Sequence, residues 1–125
     1  MDRSASIYRE NIYIASDIKF ADSFLKRLRG LMLRKTFDSE SGLLLRPCRR
    51  IHTYFMRTPI DAIFVSDSDI VVHVEKNLKP NKLTKYHRRA EFVLEMPAGK
   101  AEIYNIKAGD RLNIEENESV EWAFE

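Results

Sequence analysis

Four polar side chains of the types used in catalysis and binding lie within ten residues of one another, in segment 52–61 (HTYFMRTPID). His52 can exchange a proton near neutral pH, and Arg57 can hold an anionic group with its guanidinium fork. Together with Thr53 and Asp61, these side chains could line one pocket. The alternative is structural, because Arg57 and Asp61 could pair with each other across the proline turn that separates them.

Two further charged residues are candidates for the same pocket. Glu95 ends the apolar run FVLEM, where a carboxylate is costly unless it is hydrogen-bonded or charge-paired. It could face segment 52–61 as a base or ligand group, or it could cap the backbone amides of the PAGK turn that follows. Arg27 could contribute a second guanidinium. The predicted pocket therefore consists of His52, Thr53, Arg57, Asp61, Glu95 and Arg27.

A basic run at residues 76–89 is the second candidate site, because cations with an aromatic platform can hold single-stranded nucleic acid. The plain alternative is a solvated surface loop. The net charge of +2 argues against bulk nucleic-acid binding, which usually needs a strong basic excess, although it leaves room for a local basic patch. The candidate contacts are Lys82, Lys85, Tyr86, Arg88 and Arg89.

Length and composition favour one soluble domain over residues 1–125. With one cysteine, no internal disulfide can form, and no Cys/His cluster suggests a metal. No phosphate loop, zinc-protease motif or serine-hydrolase motif occurs, so we expect no cofactor. No signal peptide or membrane-length apolar run is visible, which predicts a cytoplasmic monomer or weak homodimer.

Short apolar runs with a period of two predict seven or eight strands. Segment 52–61 is one of them, and its apolar residues on both faces predict a strand buried on both sides. The acidic turn at residues 67–69 predicts a hairpin between two β-branched runs. The other predicted strands lie at residues 11–20, 43–47, 62–66, 70–76, 91–96, 111–117 and 120–124.

Two short helices are predicted, at residues 22–30 and 97–105, the second starting at Pro97. The first ten residues are expected to be loose, and residues 77–90 are expected to form a long surface loop. The fold class that follows is α+β: a β-rich single domain with a curled antiparallel sheet or small barrel and one or two short helices.

Four motifs occur here in the same order as in the DUF192 family: RLRGLMLR, SGLLL, IHTYFMRTPIDAIFV and AEFVLEMPAGKAEIYNIKAGDRL. The chain resembles that family over about residues 15–114. The resemblance implies a compact β-rich fold and supplies no established catalytic residue, substrate or cofactor. This chain departs from many relatives, which have tryptophan where Phe55 stands and an Asn-Thr pair after Met56.

Three functions remain open from the sequence. The leading hypothesis is a non-enzymatic binding or accessory domain, whose polar pocket near segment 52–61 takes a small molecule or peptide. A second is a hydrolase or isomerase, with His52 or Glu95 as general base and Arg57 as an electrostatic stabiliser. The third is weak single-stranded nucleic-acid binding through residues 76–89.

Overall fold

A mixed β-sheet forms the framework of the protein. The computed structural model describes residues 3–21, 40–54 and 56–117. Within them, the chain forms seven strands and one short helix. In chain order these are β1 (Ser4–Arg9), β2 (Ile12–Ala21), β3 (Ser41–Leu45), β4 (Ile60–Val65), β5 (Val71–Leu78), β6 (Phe92–Pro97), α1 (Lys100–Ile103) and β7 (Asn113–Glu116).

The strands lie in the order β5-β4-β6-β3-β2-β1-β7 in a single open sheet. All neighbours are antiparallel except β2 and β3, which run parallel, so the expected all-antiparallel sheet is wrong in one pairing. The sheet does not close into a barrel. It curls far enough that the residues next to its two edge strands meet, through an isolated bridge between Ile70 and Arg111.

The N-terminal residues depart from the expected loose segment. Ser4–Arg9 forms β1, which pairs with β2 on one side and with β7 on the other. Ala5 and Ile7 are fully buried, because they alternate with polar neighbours in a strand with one face on the core. The low overall apolarity of the segment hid this alternation.

The predicted strand at 52–61 is also wrong in most of its length. His52 makes one isolated bridge with Leu83, a turn follows at Tyr54, and β4 begins only at Ile60. The apolar residues that suggested a strand instead anchor a loop to the sheet. Met56 and Ile51 are both buried against it.

The other predicted elements have mixed outcomes. The strands at β2, β3, β5 and β6 and the hairpin at residues 67–69 are confirmed. The second helix begins at Lys100, and Pro97 belongs to β6. The predicted helix at 22–30, including Arg27, and the predicted strand at 120–124 lie outside the described residues.

Apolar side chains cover both faces of the sheet. The inner face is the one whose cluster includes Ile7, Ile63 and Leu94, together with residues around α1. The outer face carries a second cluster that includes Leu43, Phe64 and other buried residues. Because the sheet is covered on both faces, β4 (IDAIFV) and β6 (FVLEMP) are mostly apolar instead of alternating between apolar and polar residues.

Two irregular segments, 46–59 and 79–90, cover the outer face. Backbone hydrogen bonds join them: Thr53 N donates to Lys82 O at 2.8 Å, and Thr84 N donates to Ile51 O at 2.9 Å. A third bond runs from His87 N to the carbonyl of Arg49 at 2.8 Å. Since the two segments are fastened to each other, they form one continuous covering layer.

Candidate functional site

The carboxylate of Asp61 is a structural anchor. Asp61 is 1% exposed, and its Oδ1 accepts a hydrogen bond from Asn77 N at 2.9 Å. Its Oδ2 accepts from Gly99 N at 3.0 Å and from Ala101 N at 2.8 Å. Three backbone donors satisfy the buried charge and tie β4 to β5 and to the first turn of α1. Asp61, rather than Glu95, caps the amides of the PAGK turn.

The predicted pairing of Arg57 with Asp61 is wrong. Arg57 is exposed and makes no ion pair within the described part of the chain. The strand Ile60–Val65 places Asp61 between two residues of the outer cluster, so its side chain points to the inner face. The backbone amides of α1 therefore take the place that the guanidinium was expected to fill.

Two residues of the predicted pocket, Asp61 and Glu95, point to opposite faces of the sheet. Glu95 is 1% exposed and lies between two residues of the inner cluster, so its side chain points to the outer face, opposite to Asp61. In the register of the sheet, Glu95 pairs with Leu43 and Ala62. Arg27 lies outside the described residues.

Thr53 holds the two covering segments together. It is fully buried, and its Oγ1 donates to Lys79 O at 2.6 Å and accepts from Lys82 N at 2.9 Å. His52 lies closer to the surface, where its ring stacks on Tyr54 with centroids 4.6 Å apart. Of the polar residues in segment 52–61, Thr53 thus joins the two covering segments by hydrogen bonds. His52 is half-buried and Arg57 is exposed.

The covering layer is densely cationic. Its two segments, 46–59 and 79–90, contain nine of the 21 Lys and Arg residues of the chain and none of the 19 Asp and Glu residues. All nine side chains are exposed, and none forms an ion pair within the described residues. We call these nine the cationic surface: Arg46, Arg49, Arg50, Arg57, Lys79, Lys82, Lys85, Arg88 and Arg89.

The net charge of +2 gives no indication of this dense local cluster of cations. The other described residues carry seven Lys and Arg against thirteen Asp and Glu, so within the described part of the chain a cationic region stands against an acidic one. The sequence predicts a basic run at residues 76–89, but it does not indicate that this run lies beside the arginines near Cys48. Only the fold shows that the two segments are neighbours in space.

Exposed rings lie among the cations. Tyr54 is 42% exposed and Tyr86 is 54% exposed, and the Tyr86 hydroxyl lies 3.4 Å from Nη1 of Arg49. Rings at the surface expose apolar area to water, which is unfavourable unless a partner covers them. This layer is thus characterised by exposed rings beside cations that form no ion pair within the described part of the chain.

Two stacked histidines lie next to the cationic surface, and they were not predicted from the sequence. The rings of His73 and His87 stack with centroids 4.4 Å apart, and Phe64 lies 4.3 Å from His87. Nε2 of His73 lies 2.9 Å from Oε2 of Glu75. Burial, with a smaller contribution from His73, lowers the pKa of His87 below its usual value, so this ring favours the neutral form.

A cavity of about 250 Å³ opens beside this stack. Its lining is Val72, Tyr86, His87, Arg88 and Arg89. Nε2 of His87 is buried and has no hydrogen-bond partner within the described residues. The cavity thus combines an aliphatic side chain, two arginines, a tyrosine and a histidine.

Two further findings concern the described residues alone. No group of three or more His, Cys, Asp or Glu side chains is arranged to hold a metal ion there. In that part of the chain, no helix has the length and apolarity needed to cross a bilayer.

Known structures with the same fold give no assigned chemistry. A protein of unknown function from Novosphingobium aromaticivorans superposes with a TM-score of 0.74 at 22% identity, over 87% of this chain and 82% of the other. A "putative transcription regulator" from Sinorhizobium meliloti also gives a TM-score of 0.74, at 18% identity, over 91% and 94% of the two chains. At these identities the likeness shows the fold alone.

Two proteins from Pyrococcus species have higher identity to this chain. The UPF0127 protein of Pyrococcus furiosus is 36% identical over 102 residues, which cover 79% of this chain and 87% of that protein. The UPF0127 protein of Pyrococcus horikoshii is 33% identical over 106 residues, which cover 82% and 91%. Residues 7–114 match the profile of DUF192, described as "Uncharacterized ACR". The chain therefore belongs to the DUF192 family, whose function is uncharacterised.

Proposed function

We propose that this protein is a non-enzymatic binding domain for single-stranded nucleic acid. The observation that carries the proposal is the cationic surface, with nine exposed Lys and Arg side chains and no ion pair to neutralise them within the described residues. Like charges gathered on one surface repel one another, so the arrangement stabilises the molecule only when a polyanion is bound. Phosphates along a flexible strand can match such a distributed set of cations.

Exposed aromatic rings favour a single strand over a duplex. Every base has a face that can stack on a ring, and stacking contributes about 1–3 kcal/mol per base. Tyr54 and Tyr86 are exposed on the same surface as the cations. Direct readout of a duplex uses an element that enters a groove, typically a helix or a two-stranded ribbon. The segments 46–59 and 79–90 are irregular loops and offer neither.

The geometry gives less support to the catalytic alternative. A general base must reach its substrate within hydrogen-bonding distance, directly or through one water. Glu95 is buried on the sheet, whereas Arg57 is exposed in the covering layer. Nδ1 of His52 lies 3.3 Å from Tyr54 N, its neighbour in the loop.

Binding of fluorescent 15-nucleotide DNA and RNA strands, measured by polarisation across a salt series, tests the proposal. For single strands the logarithm of the affinity falls with the logarithm of salt with a slope of about −0.7 per phosphate contacted. If half of the cationic surface contacts phosphate, we expect a slope of about −3. A variant with Lys82, Lys85 and Arg88 all changed to Gln should bind more weakly and with a shallower slope.

A matched control removes the same charge elsewhere. Arg3, Lys19 and Lys107 lie outside the cationic surface and outside residues 76–89, and each pairs with an acidic residue. Changing all three to Gln should leave affinity and slope closer to those of the unmodified protein. Equal losses in the two variants would contradict a localised binding surface.

Two results would overturn the nucleic-acid assignment. One is no binding of either strand at 50 mM salt. The other is equally tight binding of an acidic peptide or of vesicles containing anionic lipid, since that outcome would show that negative charge alone is recognised and that the aromatic rings are irrelevant.

A further inference from the structure

We propose that the covering layer contains an acid-sensitive junction, in which protonation of the His87 ring separates segment 79–90 from segment 46–59 and weakens binding to a single strand. The junction is the hydrogen bond from His87 N to the carbonyl of Arg49, at 2.8 Å, and we call it the His87 junction. Its opening by acid follows from the structure of the layer. Its effect on binding rests on the proposed function and adds regulation to it.

The surroundings of the His87 ring suit its neutral form. The ring lies 4.3 Å from Phe64 and 4.4 Å from His73, measured between centroids. Its Nε2 atom is buried and has no hydrogen-bond partner within the described residues. A neutral imidazole has one N–H group, whereas an imidazolium has an N–H group on both nitrogens. In the described structure, protonation therefore leaves a charged N–H group at Nε2 without an acceptor, which is costly.

The charged groups around the ring do not remove this cost. On β5, His73 is a second titratable ring, and two stacked imidazolium rings would repel each other. Glu75 attracts a positive charge, but its Oε2 already lies 2.9 Å from Nε2 of His73. On β4, the carboxylate of Asp61 points to the inner face of the sheet. The remaining titratable neighbours, in the covering layer, are one tyrosine and four cations: Tyr86, Arg49, Lys85, Arg88 and Arg89.

Movement of the ring into water relieves the cost and opens the junction. Burial, with a smaller contribution from His73, lowers the pKa of His87 in the closed layer, so the exposed ring binds a proton more readily than the enclosed ring. The backbone of His87 moves with its ring, and the hydrogen bonds from His87 N to Arg49 O and from Ala90 N to His87 O break. The bonds that Thr53 N and Thr84 N donate hold the other end of the layer closed.

Opening weakens binding because it separates cations that belong to different segments. Arg49 and Arg50 lie on one side of the His87 junction, and Arg88 and Arg89 lie on the other. Only the closed molecules hold all four at a fixed spacing, so the apparent affinity falls with the closed fraction. Simple electrostatics predicts the opposite sign, because histidines that gain a positive charge attract a polyanion more strongly. The sign of the pH dependence therefore distinguishes the junction from a general charge effect.

Amide hydrogen exchange tests the opening without any ligand. Exchange is followed by NMR at pH 7.5 and pH 5.5 and corrected for the intrinsic effect of pH on the exchange rate. An exposed histidine titrates near about 6.5, so the opening constant can rise by at most about tenfold over this range. A junction held by one backbone hydrogen bond and a few ring contacts favours the closed state by only about tenfold, so acid brings the two states close to balance.

We expect the protection of the His87 and Ala90 amides to fall about fivefold between these pH values, as the open state becomes as populated as the closed one. The amides of Thr53 and Thr84, at the other end of the layer, are internal controls and should keep their protection. Unchanged protection at His87 would overturn the inference. An equal loss at all four amides would also overturn it, because the whole layer would then loosen at once.

Binding of a 15-nucleotide thymidine strand, whose bases do not titrate in this range, tests the effect on affinity. The unmodified protein should bind about twofold more weakly at pH 5.5 than at pH 7.5, since about half of the molecules are then open. His87→Phe keeps an aromatic ring beside Phe64 and His73 but cannot be protonated, so its affinity should not fall. His52→Gln removes the other histidine of the covering layer, and as the matched control it should retain the loss.

The outcomes distinguish this inference from the proposed function. If no strand binds at either pH, the proposed function is wrong, and the exchange measurement on the unmodified protein alone decides whether the junction opens. If the strand binds more tightly at pH 5.5, or if the loss of affinity persists in His87→Phe, the regulation of binding by His87 is overturned. Because exchange in the unmodified protein needs no variant, the opening stays testable even if His87→Phe fails to fold.

Discussion

Asp61 on the inner face of the sheet and the cationic surface over the outer face handle charge in opposite ways. On the inner face, Asp61 is buried and receives hydrogen bonds from three backbone amides. Over the outer face, nine exposed cations have no ion pair within the described residues. A buried charge must be satisfied for the chain to fold, whereas an exposed and unneutralised set of charges contributes nothing to folding. The contrast assigns Asp61 to stability, and the proposed function assigns the covering layer to binding.

The largest effect that tests this contrast is expected at Asp61. Asp61→Ala leaves the amides of Asn77, Gly99 and Ala101 without their acceptor, and we expect a loss of about 4 kcal/mol in the free energy of unfolding. Urea denaturation monitored by circular dichroism measures it. The control is Arg57→Ala in the same segment, expected to change stability by less than about 0.5 kcal/mol. Comparable losses in the free energy of unfolding of Asp61→Ala and Arg57→Ala would instead indicate that Arg57 and Asp61 form an ion pair with each other.

Thr53 offers a sharper test, because it lies where stability and binding meet. Thr53→Val keeps the shape of the side chain but leaves Lys82 N and Lys79 O without their partner, which should cost about 2 kcal/mol. The loop carrying Lys82 should loosen, so affinity for a single strand should also fall. Thr58→Val, at an exposed position in the same segment, is the control and should change neither measurement. If Thr53→Val binds a single strand as tightly as the unmodified protein, binding does not depend on the hydrogen bonds of the Thr53 hydroxyl.

The histidine stack predicts a smaller and pH-dependent effect. The pKa of His87 is lower in the folded protein than in the unfolded chain, where it is about 6.5. The unfolded state therefore binds more protons, and stability should decline as the pH falls from about 6.5 toward the folded-state pKa. Denaturation at a series of pH values should show this slope in the unmodified protein and a reduced slope in His87→Phe. An unchanged slope would place the titrating group elsewhere.

The smallest expected effect has the opposite sign. Replacing Arg50 and Lys85 by Gln reduces repulsion within the cationic surface, so stability at low salt should rise by about 0.5 kcal/mol. Added salt screens exposed charges, so the gain should fade toward 0.5 M sodium chloride. Thermal melts at several salt concentrations measure it. A loss of stability would mean that these cations have structural partners.

Most strands could be predicted from local patterns, since alternation and turn chemistry lie within a few residues of one another. β5 and the hairpin at residues 67–69 are examples. The strand predicted at residues 52–61 was wrong in most of its length. Apolar residues on both sides are typical both of a buried strand and of a loop anchored to a sheet. Nothing local distinguishes those cases.

The role of Asp61 could not be predicted for a different reason. Its three donors lie 16, 38 and 40 residues away in the chain. A nearby arginine is the more obvious partner in sequence, yet the strand period turns the carboxylate away from it. The cationic surface could be predicted only in part. The sequence shows that each of its two segments is basic, but only the fold shows that they are adjacent.

The uneven distribution of charge has a consequence before any contact is made. A molecule with one strongly positive region and an acidic remainder experiences a torque in the field of a polyanion, so it turns its cationic side toward the strand as it approaches. Such orientation raises the rate of association, and it weakens as salt shortens the range of the field to about 8 Å at physiological ionic strength. Under the proposed function, a chain with a formal charge of only +2 therefore associates with a polyanion faster than its net charge suggests.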